Sequence, residues 1–498
     1  MKRSELVNSL IGILNVKQIW DDEDSRRQFS QDKWPRWLFS PPDKMVDAVV
    51  RPENAHEVAK VLVFANREKI PVIPYGGGSG VCGAVCPDKG GIAIDLKGLN
   101  QIGPVLRDAD SNQAYVIVAS GVIGEALERA VNAKGFTIGH FPASMAISTV
   151  GGWVAAESSG QCSTKYGNIE NLLEEIEVAL PDGRIVWISG TRIKPFIGSE
   201  GTLGIITAVK LKVFPASAKQ IFFSFAFNSL PEALDACYRM SRLPDKPAVL
   251  RVYDSLDRLF LGPGKESSNL SHRLPAHKYF FQQIKFWFLS KPKAVHAFGS
   301  ALSRLPFWKF KPLLIVIFDE DSDSAAKEKI IHNIAWLNHG KYLGEDLARQ
   351  WWRERYKLNF QKIEKYFQLG IFANTLDVAA PTDKLAGVYK AMMEAMSAHA
   401  VTLAHFSHFF GGRGCIYFTL IGRAKNKEAS LRLHDRAWSA GLDACRKAGG
   451  EVTHHHGIGV AKLPWFEMTD IIRWEKWRKL KKELDPKNIM NPGRLIKN

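Results

Sequence analysis

"PVIPYGGGSGVCGAVCPDKGGIAIDL", residues 71–96, sets three adjacent glycines between two short apolar runs. "IPVIPY" and "GGIAIDL" read as strands joined by the glycine loop. Upstream, "MVDAVV" reads as another strand and "ENAHEVAKVLVFANREK" as an amphipathic helix, so βαβ order leads into the loop. Consecutive amides in a glycine turn form an anion-binding concavity, and this one can cradle a phosphate. It is not a P-loop, because no GxxxxGK followed by Ser or Thr is present. Nor is it a GxGxxG fingerprint, because the loop runs into a strand and not a helix.

Two more small-residue clusters follow. "GHFPASMAISTVGGWVAAESSGQCSTKYGNIE" spans 139–170, and "GSEGTLGIITAVKLKVFP" spans 198–215. Between them "LLEEIEVALPDGRIVWI" predicts a hairpin turning at Asp182-Gly183. Three such segments in one block exceed what turns require, and small residues let backbone approach a flat ligand.

The remaining composition bounds the answer. A chain of 498 residues with 46% hydrophobic content can bury a large core. Lys and Arg number 67 against 51 Asp and Glu, a net charge of +16 that favours an anionic partner. Nucleic acid is not that partner, because no RNP-like or helix-turn-helix pattern occurs. The six cysteines form no CxxC pair, so free thiols in a reduced compartment and no metal site are expected. The N-terminus lacks a signal-peptide cleavage site, and no apolar run reaches the length of a spanning helix.

The segments "PYGGGSGV", "GSEGTLGIIT" and "LDPKNIMNPGRL" resemble the vanillyl-alcohol oxidase, or PCMH-type, flavoenzymes from about Met45 onward. The resemblance implies an α+β fold: a PCMH-type two-subdomain FAD-binding domain with an antiparallel-sheet cap domain. The domains expected are 1–44, a helical segment; 45–215, binding FAD; 216–445, the cap; and 446–498, returning to the FAD site. "QIFFSFAF", "AVLRVYD", "PLLIVIFD" and "CIYFTLIG" read as the cap's strands, with helices on one side.

The implied FAD site takes Pro74, Tyr75, Gly76, Gly77, Gly78, Ser79 and Gly80 from the first loop. From the second it takes Ala143, Ser144, Met145, Ala146, Ile147, Ser148, Thr149, Ala156, Glu157, Ser158 and Ser159. From the third come Glu200, Gly201, Thr202, Leu203, Gly204, Ile205 and Ile206. Many relatives attach the flavin through a His in the first loop. This loop has none, so non-covalent FAD is expected, and Cys162 reads as an inert thiol.

Within the family, "STVGGWV", "YGNIE", "CIYF" and "HHHGIG" look like the alkyldihydroxyacetonephosphate synthase branch. That resemblance implies exchange of the acyl chain of an acyl-dihydroxyacetone phosphate for a fatty alcohol, through a flavin N5 adduct and without net redox. It makes Tyr417 the acid/base and places His454, His455, His456 and His140 around flavin and substrate. Arg251 and Arg355 suit a phosphate, with Arg353 the competitor for the second place. The alternative is an FAD-dependent D-2-hydroxy-acid dehydrogenase or oxidase. That branch carries HxGDGNxH, where this chain has Tyr417 in place of the last histidine and so lacks the zinc ligands. Phe141 and Ala143 stand where the synthase branch carries acidic residues.

Residues 278–318 interleave Phe286, Trp287, Phe288, Leu289, Phe307 and Trp308 with Lys285, Lys291, Lys293, Arg304, Lys309 and Lys311. This is the composition of a segment lying on an anionic bilayer. A cytoplasmic enzyme peripheral at the inner membrane surface is expected, and a homodimer is allowed for.

Overall fold

The computed structural model describes residues 1–38, 41–263, 289–319, 324–356, 367, 370–469 and 471–495. It divides into two compact units. One comprises Met1–Gly160, Tyr166–Ala216 and Thr453–Asn498; the other comprises Gln161–Lys165 and Ser217–Val452.

The first unit holds two sheets. In the smaller one, strands Ala48–Val50, Ile92–Asp95 and Val72–Tyr75 run parallel in that order, and Ile19–Trp20 adds an antiparallel edge. The crossover helix Ala55–Glu68 is capped by Asn54, whose side chain accepts from the Glu57 amide at 2.9 Å. Val58, Val61, Leu62 and Ala65 line its buried face at helical spacing and pack on Ala48, Val50, Ile92 and Ile94. Leu6, Leu10 and Leu14 join the same core, so the N-terminal helix Arg3–Ile11 is built into this unit. The second sheet is antiparallel, and its central strand Ile205–Pro215 pairs with both Ala114–Ala119 and Leu173–Ala179. The turn at Asp182-Gly183 joins Leu173–Ala179 to Ile185–Ser189.

The C-terminal tail closes this unit. The Val72 amide donates to the Ile489 carbonyl and the Asn491 amide to the Val72 carbonyl, at 2.7 and 2.8 Å, laying the tail along the parallel sheet.

The second unit is a seven-stranded antiparallel sheet. Its order is Lys341–Tyr342, Gln220–Ala226, Leu313–Asp319, Val249–Tyr253, Val401–Phe410, Arg413–Arg423, Ile371–Pro381. One face packs against helix Leu385–Met396, where Tyr389 stacks on Phe418 and meets Phe406 at a tilt. The opposite face carries a polar set, Arg251, Tyr253, His405, Tyr417 and Asp377, beside apolar residues such as Leu313 and Ile315. The expectation of helices on one side fails for Asp346–Glu354, which crosses the polar face at one edge: the Ala348 amide donates to Ser224 Oγ at 3.2 Å. Trp351 of that helix is buried there, with the Arg251 guanidinium over its ring.

The sequence ended the cap at residue 445, inside helix Lys427–Lys447. The unit runs on to Val452 because Glu451 and Ala379 exchange backbone hydrogen bonds at 2.7 and 3.0 Å. Gln161–Lys165 also group with it, since Ser163 Oγ meets His408 Nδ1 at 2.8 Å and Lys165 pairs with Asp319 at 3.3 Å.

Candidate functional site

In the first unit the three small-residue segments converge. A Cβ on Gly77 would lie 1.9 Å from the Ile147 carbonyl oxygen, so the first loop lies directly on the second segment and only glycine fits. Thr149 caps the helix Val150–Ala155 through the Gly152 amide. Ser148 Oγ accepts from Trp153 Nε1 at 2.8 Å. These two hydroxyls therefore hold the segment in shape. Leu203, Ile205 and Ile206 are buried core residues, so only their backbone can face a ligand.

The C-terminal tail locks the third segment to the first. Asn491 Nδ2 donates to the carbonyls of Glu200 at 2.7 Å and Ala84 at 3.0 Å. Lys481 Nζ donates to the carbonyls of Thr202 and Met490, and to the carboxylate of Asp485. Arg494 donates to the Cys86 carbonyl. Asp32, upstream of residues 71–96, accepts from the Gly83 amide at 2.7 Å and from Trp37 Nε1 at 2.8 Å. None of Asp32, Lys481, Asp485, Asn491 or Arg494 was singled out from the sequence. The motif "LDPKNIMNPGRL" was the available signal for three of them.

The triple histidine lies in a loop, not on a strand. Glu200 fixes that loop by accepting the Ile458 amide at 2.6 Å and the Gly459 amide at 2.9 Å. A Cβ on Gly459 would sit 2.0 Å from the Cys82 carbonyl oxygen, which seats the loop on the first glycine segment. Burial pushes the Glu200 carboxyl up, and the two amides act against that shift. His454, His455 and His456 are half-buried and stand edge to face, with His454 Nδ1 3.1 Å from His455 Nδ1 and 3.4 Å from Ser159 Oγ. His140 is buried, with Nε2 2.8 Å from Ser158 Oγ and its ring against Trp153. Burial holds its imidazole down at about 3, so it is neutral at physiological pH.

In the second unit the polar face carries the remaining candidates. Tyr253, His405, Tyr417 and Asp377 are register partners on four adjacent strands, so their side chains share one face. The Tyr417 ring stacks on His405 with centroids 4.7 Å apart and 21° between planes. Burial first, then the Asp377 charge, pushes the Tyr417 phenol up to about 12, so it is protonated at neutral pH. Arg251 Nε donates to Tyr253 Oη at 2.9 Å, and its guanidinium also packs over the Trp351 ring. Its Nη2 lies 2.7 Å from His405 Nε2. On the far side of that ring, Nδ1 is 3.1 Å from Asp257 Oδ2.

Arg355 lies flat over Trp352, 3.6 Å from the ring centroid, with a buried Nε that meets no partner among the described residues. Arg353 is exposed on the helix surface. Of the two arginines, Arg355 is the one held in a fixed pose.

Sequence reading missed His405 and Asp257. "VTLAHFSHFF" reads as a core strand, and in "YDSLD" both acids read as helix-start residues. Two histidines three residues apart, His405 and His408, in one strand were the available signal.

A family model described as FAD binding domain matches residues 46–189, and one described as FAD linked oxidases, C-terminal domain, matches residues 218–495. The chain is 26% identical over 476 residues to an alkyldihydroxyacetonephosphate synthase of Dictyostelium discoideum, covering 90% of this chain and 73% of that protein. It is equally 26% identical over 512 residues to the glycolate oxidase subunit GlcD of Bacillus subtilis, covering 100% of this chain and 97% of that protein. A solved alkyldihydroxyacetonephosphate synthase shares the fold with a TM-score of 0.75 at 24% identity, over 99% of this chain and 85% of that one.

Proposed function

We propose, for a chain that belongs to the FAD-linked oxidase family and takes FAD as its cofactor, that the reaction is an acyl-for-alkyl exchange. In it a fatty alcohol replaces the acyl chain of an acyl-dihydroxyacetone phosphate. The glycine cradle fits such a cofactor: Gly77 is pressed on Ile147 so closely that a methyl group has no room, which leaves backbone amides to meet the pyrophosphate. Bound FAD supplies an electrophilic ring. No histidine stands in the loop, and the reading is of FAD held without a covalent bond.

The residues of this chain supply protons and charge. The protonated Tyr417 phenol donates to an oxygen that becomes anionic as a C–O bond breaks. Arg251 and Arg355 offer rigid guanidinium groups to the phosphate. His454 to His456, half-buried imidazoles, are the candidate proton acceptors. In the exchange the ester carboxylate leaves dihydroxyacetone phosphate C1, the alcohol oxygen bonds there, and the alcohol proton is lost. No electrons leave the system.

The observation that carries the reading is Tyr417. A phenol occupies the polar face where the 2-hydroxy-acid branch would place a metal-binding histidine. The second reading, oxidation of a D-2-hydroxy acid, draws support from the same Arg251, whose fork also suits a carboxylate, and from the likeness to the glycolate oxidase subunit. The deciding experiment supplies flavin-loaded protein with palmitoyl-dihydroxyacetone phosphate and hexadecanol without an electron acceptor, and in parallel D-lactate with a dye. Palmitate release with an ether-linked product supports exchange; dye reduction without acyl release overturns it.

Both exchange substrates are membrane lipids or lipid-like, and we propose a peripheral membrane attachment at the cytoplasmic surface. Helix Pro292–Arg304 buries Val295 and Gly299 and leaves Phe298 55% exposed; Phe307 is 56% exposed nearby. Lys291, Lys293, Arg304 and Lys309 are exposed beside them. Lys311 is a correction: it is buried, with Nζ donating to the Ser303 carbonyl at 2.7 Å, and is not part of the basic surface. Residues 278–288, with Lys285, Phe286, Trp287 and Phe288, lie outside the described residues. Among the described residues no helix is long and apolar enough to cross a membrane.

A further inference from the structure

Arg251, His405 and Asp257 form a chain of contacts that sequence spacing conceals, since 154 and 148 residues separate the paired members. The direction of each hydrogen bond follows from chemistry. A guanidinium only donates, so the His405 nitrogen facing Arg251 must present its lone pair. That nitrogen is Nε2, and in a neutral ring the single proton then sits on Nδ1. Nδ1 faces Asp257 Oδ2 at 3.1 Å, and that oxygen accepts the proton; burial pushes the carboxyl up to about 7 while the Arg251 charge pulls it down. His405 and Asp257 are both buried, whereas Arg251 is half-buried and Tyr417, against the His405 ring, is half-buried too.

We infer that Asp257 and His405 are positioning residues for an oxyanion-binding Arg251. Asp257 fixes the proton of His405 on Nδ1, and His405 Nε2 with Tyr253 Oη then holds the guanidinium in one orientation. The remaining N–H groups of Arg251 are thereby pre-set for a phosphate or carboxylate before the ligand arrives, which lowers the ordering cost of binding. Trp351 adds a stacking contact that restricts the guanidinium further. Burial and the neighbouring Arg251 charge hold His405 well below its usual range, in keeping with a neutral ring.

The substitution Asp257→Asn tests this without changing shape. An asparagine amide is able to donate to Nδ1, which moves the histidine proton to Nε2 and points it at the Arg251 guanidinium, two donors face to face. The inference rests on the reading that Arg251 holds the anionic end of the substrate, so ligand binding and histidine state are measured separately.

Calorimetry on FAD-loaded protein with dihydroxyacetone phosphate, and in a second arm with D-lactate, reads the binding. Asp257→Asn is expected to weaken the bound anion by about tenfold, the worth of a charge-assisted hydrogen bond, with flavin content unchanged. In steady-state assays the loss falls on KM more than on kcat. Nitrogen NMR on histidine-labelled protein reads the tautomer, with the His405 signal assigned by its disappearance in His405→Gln. The wild type is expected to show the neutral Nδ1–H form, and Asp257→Asn to lose it. Wild-type anion affinity in Asp257→Asn, or an Nε2–H ring in the wild type, overturns the inference. Binding of D-lactate but not dihydroxyacetone phosphate would remove the exchange reading alone, and the positioning role is then judged by whether Asp257→Asn weakens lactate.

Discussion

The ammonium of Lys481 lies 2.5 Å from the carboxylate of Asp485, one helical turn along the chain, and both groups are buried. The pair is fully used. Asp485 also accepts the amides of Ile489 and Met490, at 3.0 and 2.8 Å, while Lys481 donates to Thr202 and Met490 carbonyls. Burial pulls the Lys481 ammonium down and the Asp485 charge pushes back. This is how the C-terminal tail is fastened to the small-residue segment 198–207.

Lys481→Met leaves a buried carboxylate without its cation and two carbonyls without a donor. A loss of about 3–5 kcal/mol is expected, as for other buried pairs broken on one side. Denaturant unfolding of the flavin-loaded protein measures it. A variant as stable as the wild type would mean the tail is held by its backbone contacts alone.

Gly77→Ala places a methyl group on the Ile147 carbonyl. Overpacking of roughly 1–3 kcal/mol is expected, concentrated in the cradle. Purified protein should contain less flavin at equal yield, read from the ratio of visible to ultraviolet absorbance. Full flavin occupancy would show that this approach can relax.

Tyr417→Phe removes one hydroxyl and keeps the ring on His405. Turnover is expected to fall by about 10²–10⁴-fold, the range of a lost general acid. Flavin content and melting temperature stay unchanged. Retained turnover would move the proton-transfer role elsewhere, to the histidine loop.

His140 makes stability depend on pH in a stated direction. Its folded-state value of about 3 lies below the ordinary imidazole value of 6.5, so between these limits the unfolded chain binds the extra proton. Stability from this residue is complete above about pH 6.5 and is lost as pH falls toward 3, by roughly 1.4 kcal/mol per unit. Unfolding free energies at pH 7 and pH 5 for the wild type and His140→Asn isolate the contribution. Equal pH slopes in the two proteins would contradict a neutral buried ring.

Phe298→Ser with Phe307→Ser removes two exposed aromatics beside the basic residues. Co-sedimentation with vesicles containing anionic lipid is expected to weaken, while activity on detergent-dispersed substrate holds. No vesicle binding by the wild type would end the membrane proposal.

The glycine loops were legible in the sequence because their constraint is local. Gly77 has no side chain, and no larger residue tolerates backbone that close, so composition and local packing coincide at that position. Strands such as "PLLIVIFD" and the hairpin at Asp182-Gly183 were readable for the same reason: apolar runs and turn residues act over a few neighbours. Lys481 was not legible, because a lysine amid "WRKLKKEL" looks solvated until the carbonyls it meets are known.

The sequence by itself determined the α+β class, FAD as the cofactor and the order of the three small-residue segments. Tertiary structure alone decided which polar side chains meet. Asp257 and His405 lie 148 residues apart, and each has an innocent local reading, as a helix-start acid and as a strand residue. Only the register that sets Tyr253, His405 and Tyr417 side by side gives them a shared partner. Register arises from burying a whole apolar sheet face, a sum over many residues that no short motif records.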